Sequence, residues 1–282
     1  MPRVAVVTDS TCDLPDSLIE QLGISIIPLN VRIGHESYED RVTIMPGAFM
    51  EKLASENGAV VTSAPSVGRI ANEYERLAET HDQIISIHIS SRLSGTYSCA
   101  GMARDLFVDL PEIRVIDSGT ASMGLGLAVK TAGEMAQADA SLQEIESRVH
   151  DVLSRTHLIF LVDTLEQLRR GGRIGRAAEI IGSVLQLKPL LRIEEGIIVP
   201  QARTRTRSRA VSGLIQLLDE VPRIESAAVV YTEGAEDIGV IVEHLSSRIG
   251  SEELIISELS PVLSAHIGPG GLGVAFVEED PS

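Results

Sequence analysis

The sequence predicts an α/β protein built around a mostly parallel β-sheet. Short runs of β-branched residues alternate with longer segments of helical periodicity along the 282 residues, as in successive βα units. The composition is 44% hydrophobic but only 3% aromatic, and such aliphatic content is typical of parallel strands buried on both faces. Because the chain is longer than a typical domain, we expect two domains, 1–156 and 157–282.

The first half predicts strands and helices in alternation. Its first strand covers 4–8, and Asp13 is expected to cap a helix that continues to Leu22, since Pro15 favours a first helical turn. A second strand is expected over 24–30, followed by a small hairpin over 31–38. The other elements expected in this half are helices at 46–56 and 66–80, strands at 83–89 and 113–117, and helices beginning near 98 and spanning 123–137 and 142–154.

The second half predicts a mixed sheet. After Thr156 a new apolar run predicts a strand over 158–162, and the Glu195–Gly196 pair between two strand-like runs predicts an antiparallel hairpin. The elements expected around that pair are a helix at 177–187, strands at 189–193 and 197–200, a helix at 208–218, a strand at 227–232, a helix at 237–249, and strands at 254–259 and 274–277.

Charge and cysteine content exclude several classes of protein. With 40 acidic and 24 basic residues the formal net charge is −16, which disfavours binding to nucleic acid or to an anionic membrane through charge alone. Cys12 and Cys99 are too few for a disulfide framework, and no histidine or cysteine spacing predicts a metal site. The chain shows no signal-peptide pattern and no apolar run of membrane-spanning length, so we expect a cytoplasmic protein.

Hydroxyl-rich segments at strand ends indicate a binding site for an anion. The segment 90–97 follows the apolar run 84–89 and precedes a helical pattern, and similar segments occur at 60–66 and 266–274. Loops that leave the carboxyl ends of parallel strands converge on one crevice, where hydroxyls and the first N–H groups of a helix can hold a carboxylate or phosphate. The alternative is that these hydroxyls only cap helices.

These segments together resemble the DegV-like family, whose bacterial members include the fatty-acid-binding subunits of two-component fatty acid kinases. The resemblance covers nearly the whole chain and implies a two-domain α/β fold that holds one long-chain fatty acid between its domains. Its carriers are Val6–Thr11, Thr62–Ser66, Ser90–Tyr97, Val115–Ser118, Leu168–Ile174 and His266–Gly270.

The resemblance also implies which residues bind the fatty acid. Thr62 and Ser94 would bond its carboxyl group, with Ser63 and the Gly95 backbone nearby and His266 joining from the C-terminal segment. A buried carboxyl group requires such hydrogen-bond donors, although sequence alone leaves the charge of His266 open. The ordinary alternatives are a strand end or helix cap for Thr62 and a histidine packed before a glycine turn for His266. The expected ligand is palmitate, stearate or oleate, with no cofactor and no metal ion.

Two basic segments stand out against the acidic background and include Arg173 and Arg203. In the resembling family such residues are implicated in contacts with the kinase partner or with phospholipid headgroups in a transient membrane contact. Many relatives carry lysine two positions before the second arginine, where this chain has Gln201. The alternative is an ordinary solvated loop and a helix start.

The functional hypothesis is therefore a binding protein and not an enzyme. It would present a fatty acid carboxylate to a separate ATP-dependent kinase for acyl phosphate formation, because the glycine-rich segment 268–273 lacks the Lys-Ser/Thr of a phosphate-binding P-loop. One alternative is a lipid-sensing regulatory module that has no kinase partner. Another is an acyl hydrolase with Ser94 as nucleophile and His266 as base, although no Gly-x-Ser-x-Gly motif surrounds Ser94.

Overall fold

The computed structural model of the chain describes residues 3–55, 60–107, 111–180, 187–249 and 254–280. The strands in these ranges are β1 Val4–Asp9, β2 Ser25–Ile27, β3 Asn30–Ile33, β4 Glu36–Glu39, β5 Val60–Ser63, β6 Gln83–His88, β7 Glu112–Asp117, β8 Thr156–Leu161, β9 Leu190–Glu194, β10 Ile197–Ala202, β11 Ile224–Tyr231, β12 Leu254–Glu258 and β13 Leu272–Glu278. The helices are α1 Asp16–Leu22, α2 Pro46–Ser55, α3 Val67–Ala78, α4 Thr96–Arg104, α5 Ser122–Gln137, α6 Leu142–Ser154, α7 Glu166–Arg170, α8 Arg207–Asp219, α9 Ile238–Ile249 and α10 Pro261–Ile267.

The first sheet is parallel, as the aliphatic strand runs predict. Its strand order is β2-β1-β6-β7, and every pairing in it is parallel. The alternating residues of β1 are buried on both faces: Val6 packs into the core on the α5 side, whereas Val7 packs into the core formed with α3 and α4. Helices therefore cover both faces of this sheet, which is why its strands lack a polar side.

The second sheet is mixed, as predicted from the hairpin. Its order is β10-β9-β8-β13-β11-β12; β11 and β12 are parallel, and the other pairings are antiparallel. One face packs against α8 and α9, and the opposite face shares a core with α5, α6 and the first sheet. Five layers result, with α3 and α4 outermost on one side and α8 and α9 outermost on the other.

A third, smaller sheet lies beside the parallel one and completes the framework of the site. It has the order β4-β3-β5 with antiparallel pairing, so the predicted hairpin over 31–38 is confirmed as β3 and β4. Its core joins Val31 of β3 to Phe49 of α2 and Val262 of α10. This packing brings α10, near the end of the chain, next to β5.

Several local predictions are wrong for identifiable reasons. The single strand expected over 24–30 is two strands in different sheets, β2 and β3, separated at Pro28, which lacks the N–H that a continuous strand would use. Asp13 does not cap α1, which begins after Pro15 without a side-chain cap. Instead Asp13 is buried with a φ of 54°, and its carboxylate bonds elsewhere.

Three other differences concern short helices. In place of the helix expected over 177–187, the structure has a 3₁₀ helix at Gly175–Ile180, and residues 181–186 of that prediction lie outside the described residues. The short helices α7 and α10 were not predicted, because five and seven residues are too few to show a helical period.

Among the residues that the structure describes, no helix is long and apolar enough to cross a membrane.

The predicted division into domains 1–156 and 157–282 stays a prediction. The strands of the parallel sheet lie within 4–117 and those of the six-stranded sheet within 156–278, so the two sheets come from separate parts of the chain.

Candidate ligand-binding site

A largely apolar cavity lies on the face of the six-stranded sheet that is turned toward α5. It contains about 880 Å³ of empty space, open solvent at its mouth included. The six-stranded sheet contributes Phe160, Ile193, Ile198 and Val230 to its wall. Such a wall favours a ligand with a long aliphatic part.

The predicted site residues converge at one part of this cavity. Thr62, Ser63, Ser94, Gly95 and His266 all line it, although they come from three distant segments of the chain. Of the three hydroxyl-rich segments, only 90–97 leaves the carboxyl end of a parallel strand, β6. Thr62 lies instead within β5, so the small antiparallel sheet supplies that hydroxyl.

Thr62 and His266 are directly hydrogen-bonded. The Thr62 Oγ1 atom lies 2.8 Å from Nε2 of His266, which links β5 to α10. His266 lies in the last turn of α10, which is followed by the C-cap Gly268. This bond fixes the position of a hydroxyl group at the polar end of the cavity.

His266 is held in its neutral form. Burial, together with the positive charge of Arg173, lowers the pKa of its imidazole to about 4. The Nδ1 atom is buried and has no hydrogen-bond partner among the described residues. Because Nδ1 has no acceptor, an N–H there would be a buried unsatisfied donor, so we assign the proton to Nε2, where it is donated to Thr62. The Thr62 hydroxyl is then free to donate its own proton into the cavity.

Ser94 and Gly95 lie at the beginning of α4. The Ser94 Oγ atom is 2.9 Å from Oγ1 of Thr96 and accepts a bond from the Thr96 N–H at 3.3 Å. Gly95 occupies the N-cap position without a side-chain cap, and a β-carbon there would lie 3.9 Å from that of Ala64. The first turn of α4 thus adds N–H groups near the hydroxyls of β5, an arrangement suited to an anionic group.

The structure separates the two predicted arginines. Arg173 lines the cavity, where its Nε donates to the Leu93 carbonyl at 3.0 Å and its Nη1 to the Gly171 carbonyl at 2.7 Å. Arg203 is exposed in the segment between β10 and α8 and is not part of the lining. Of these two arginines, Arg173 is therefore the one that supplies positive charge to the cavity.

The geometry does not favour the hydrolase alternative. Ser94 bonds to Thr96, and His266 bonds to Thr62; the described contacts include no bond between Ser94 and His266. Among the described residues, no carboxylate accepts a hydrogen bond from Nδ1 of His266. A nucleophile, a base and an orienting acid are therefore not assembled as acyl transfer requires.

Gly171 is a site residue that the sequence analysis missed. A β-carbon at this position would overlap Nδ1 of His266 and lie 2.5 Å from its Cε1. The double glycine at 171–172 was the available signal, but only the fold shows which side chain packs on it. Among the described residues, no three or more His, Cys, Asp or Glu side chains form a group that could hold a metal ion.

Comparison with known proteins agrees with this architecture. Protein DegV of Bacillus subtilis is 35% identical over 280 residues, which cover 97% of this chain and 99% of that protein. A DegV family protein from Thermus thermophilus, whose structure is described in terms of fatty acid binding, superposes with a TM-score of 0.91 at 32% identity and covers 98% of this chain and 100% of its own.

The second solved structure is that of DegV from Bacillus subtilis, described as a fatty acid binding protein. It gives a TM-score of 0.89 at 32% identity, covering 99% of this chain and 100% of its own. A family model described as an uncharacterised protein of the DegV family matches residues 3–279. With the match extending over nearly its full length, the chain belongs to the DegV family.

Proposed function

We propose that this protein binds one long-chain fatty acid, such as palmitate, stearate or oleate. The acyl chain would occupy the aliphatic part of the cavity, and Thr62, Ser63, Ser94, Gly95 and His266 would surround its carboxylate. The observation that carries the proposal is one cavity with largely apolar walls that is also lined by the hydroxyl groups of Thr62, Ser63 and Ser94. The fatty acid binding described for the Thermus thermophilus and Bacillus subtilis relatives supports the same ligand class.

The energetics of such a ligand match the two parts of the cavity. Each buried methylene group contributes about 0.8 kcal/mol, so an acyl chain gains most of its affinity from the apolar wall. A buried carboxylate costs several kcal/mol unless it accepts hydrogen bonds. The Thr62 and Ser94 hydroxyls, the start of α4 and the charge of Arg173 offset that cost without requiring a charged His266.

The first test is extraction of the purified protein with organic solvent and identification of the co-purified lipid by mass spectrometry. We expect about one fatty acid per chain in the wild type and strong depletion in Thr62→Ala and Ser94→Ala, because each loses a carboxylate donor worth about 1.5–3 kcal/mol. Thr131→Ala and Ser247→Ala remove hydroxyls that do not line the cavity and are matched controls. An empty wild type that also fails to bind added palmitate would rule out the proposal.

We further infer that the protein presents the fatty acid carboxylate to a separate ATP-dependent kinase, which forms the acyl phosphate. Ser63 and Gly95 are exposed although they line the cavity, so a carboxylate between them would be within reach of a second protein. The glycine-rich segment 268–273 lies between α10 and β13, where its backbone bonds to Thr232, and so does not have the strand–loop–helix setting of a nucleotide loop. The phosphoryl chemistry would then belong to the partner.

Arg203 is the expected contact for that partner. With a fatty acid kinase subunit, ATP and bound palmitate, Arg203→Ala should lower the rate of acyl phosphate formation about tenfold, while leaving the bound palmitate unchanged, because hydrogen bonds to charged groups contribute about 1.5–3 kcal/mol. Arg223→Ala, which removes another exposed arginine, is the control. Equal rates for both variants would remove Arg203 from the contact. Binding of palmitate without any kinase-dependent product would favour the lipid-sensing alternative.

A further inference from the structure

Two buried carboxylates hold the start of α10, the helix that carries His266. Asp13 accepts a bond from the Ser260 N–H at 2.8 Å through Oδ1, and Asp40 accepts one from the Val262 N–H at 3.2 Å through its own Oδ1. Neither aspartate is exposed to solvent. These two bonds tie the helix to the segment after β1 and to the end of β4.

The remaining carboxylate oxygens extend the connection to the cavity. Asp13 Oδ2 accepts a bond from the Ser122 hydroxyl at 2.6 Å, and Ser122 lines the cavity at the start of α5. Asp40 Oδ2 accepts a bond from the Ser10 hydroxyl, also at 2.6 Å. All four oxygens thus have a donor, which is what two buried carboxyl groups need to remain in place.

The helix held in this way forms part of the binding site. Besides His266, α10 contributes Val262, Leu263 and Ile267 to the cavity wall. Movement of its first turn away from Asp13 and Asp40 would open that wall and displace His266 from Thr62. The carboxylates do not line the cavity themselves, so any effect they have on a ligand passes through α10 or through Ser122.

We propose that Asp13 and Asp40 are positioning residues that keep α10, and with it His266, closed over the bound fatty acid. This inference rests on the proposed function for its ligand. It assigns a role to Asp13, for which the sequence analysis expected only a helix cap.

The ionisation of Asp13 and Asp40 determines how detachment of α10 depends on pH. Burial raises the pKa of each carboxyl to about 7, although the serine hydroxyls, the backbone N–H groups and the nearby Arg41 act in the opposite direction. Detachment of α10 would return both groups to water and lower their pKa toward the ordinary value of about 4. Detachment therefore releases protons, and it becomes easier as the pH rises from about 4 to about 7, with no further change above that.

Other charged groups around the pair modify this dependence. His266, on α10 itself, changes the pH dependence in the opposite direction. Its pKa is lowered to about 4 in the closed state and would rise on detachment. Detachment therefore takes up a proton at this group and becomes easier as the pH falls. Burial and the charge of Glu233 raise the pKa of Glu258 of β12, the same direction of shift as in the aspartates. Burial holds the Cys12 thiol protonated throughout the range. Detachment therefore releases about one net proton, because each of the two aspartates releases one and His266 takes one up.

The test compares the wild type with Asp13→Asn/Asp40→Asn. Asparagine keeps an oxygen for the backbone N–H and can donate to the serine hydroxyl, so it imitates the protonated acid. Between pH 5 and 6.5 we expect the wild-type dissociation rate of palmitate to rise with pH, by up to about tenfold per unit for one net proton. In the double variant the slope should reverse, because His266 then dominates. The ionisation of palmitate itself is common to both proteins.

Hydrogen exchange of α10 amides, such as that of Ser264, provides a readout without ligand once the intrinsic pH dependence is removed. The Ile145 amide in the first turns of α6 is an internal control. In each single variant, Asp13→Asn or Asp40→Asn, the change of α10 exchange with pH should be near zero. The single variants therefore provide the test if the double variant does not fold. The same pH slope in wild type and variants would overturn the inference. A reversed exchange slope in a protein that binds no fatty acid would instead reject the proposed function alone.

Discussion

At the scale of single residues, Gly171 and His266 form a close contact on which the polar end of the cavity depends. Gly171 has a φ of −75°, which any residue can adopt, so backbone freedom is not the reason for a glycine here. The reason is the imidazole, which occupies the space that a β-carbon would need. With Gly171 on one side and Thr62 on the other, the ring has one available position.

Gly171→Ala should therefore displace His266 and weaken fatty acid binding. An overpacked contact of this kind costs about 1–3 kcal/mol, and 1.4 kcal/mol corresponds to about a tenfold loss of affinity. The measurement is the dissociation constant for palmitate, together with the thermal midpoint of each protein. Gly239→Ala is the control, since nothing lies within 4 Å of a β-carbon there. Unchanged affinity in Gly171→Ala would show that the position of the imidazole does not matter for binding.

At the scale of secondary structure, the sequence predicted long elements well because their periods are clear. The 83–89 strand and the 142–154 helix were expected within a residue of β6 and α6, and the structure shows that a Ser141 capping box begins α6. Helices as short as α7 and α10, of five and seven residues, and strands as short as β2 and β3, of three and four, show no such period. The sequence therefore missed α10 and merged β2 with β3.

The candidate site was predictable only in its chemistry. Hydroxyl-rich segments at the ends of strands indicated an anion site, and the resemblance to the DegV-like family implied Ser94 and Thr62, but contacts between distant segments have no local signal. The Glu195–Gly196 turn is an example. The sequence predicted it as a hairpin turn but did not predict its contact with the 90–97 segment. There the Ser90 hydroxyl donates to the Gly196 carbonyl at 2.9 Å, so the second sheet helps to hold the loop that carries Ser94.

At the scale of the whole molecule, α5 joins the two sheets into one core. Its buried residues pack with Val6 and Ile87 of the parallel sheet and with Phe160 and Val230 of the six-stranded sheet in one cluster. The two halves of the chain are therefore expected to unfold together, even though each supplies its own sheet. The cavity lies against this shared core, so its shape depends on both halves.

Gly126→Ala tests this cooperation, because Gly126 lies in α5 where the helix packs most tightly. A β-carbon would overlap the Cys12 carbonyl oxygen and lie 2.8 Å from Sδ of Met123. We expect a loss of about 1–3 kcal/mol in the free energy of unfolding. Gly101→Ala has nothing within 4 Å of its β-carbon and, as a helical glycine, should gain about 0.5–1 kcal/mol.

The decisive measurement is native-state hydrogen exchange in β6 and β13, one strand from each sheet. If the core is shared, amides in both strands should exchange through the same global unfolding, and Gly126→Ala should lower the free energy of both by the same amount. A decrease confined to β6 would mean that the halves unfold separately and that 1–156 and 157–282 behave as independent domains. Equal decreases would mean that the cavity opens by local motions such as that of α10, since separation of the halves would then require global unfolding.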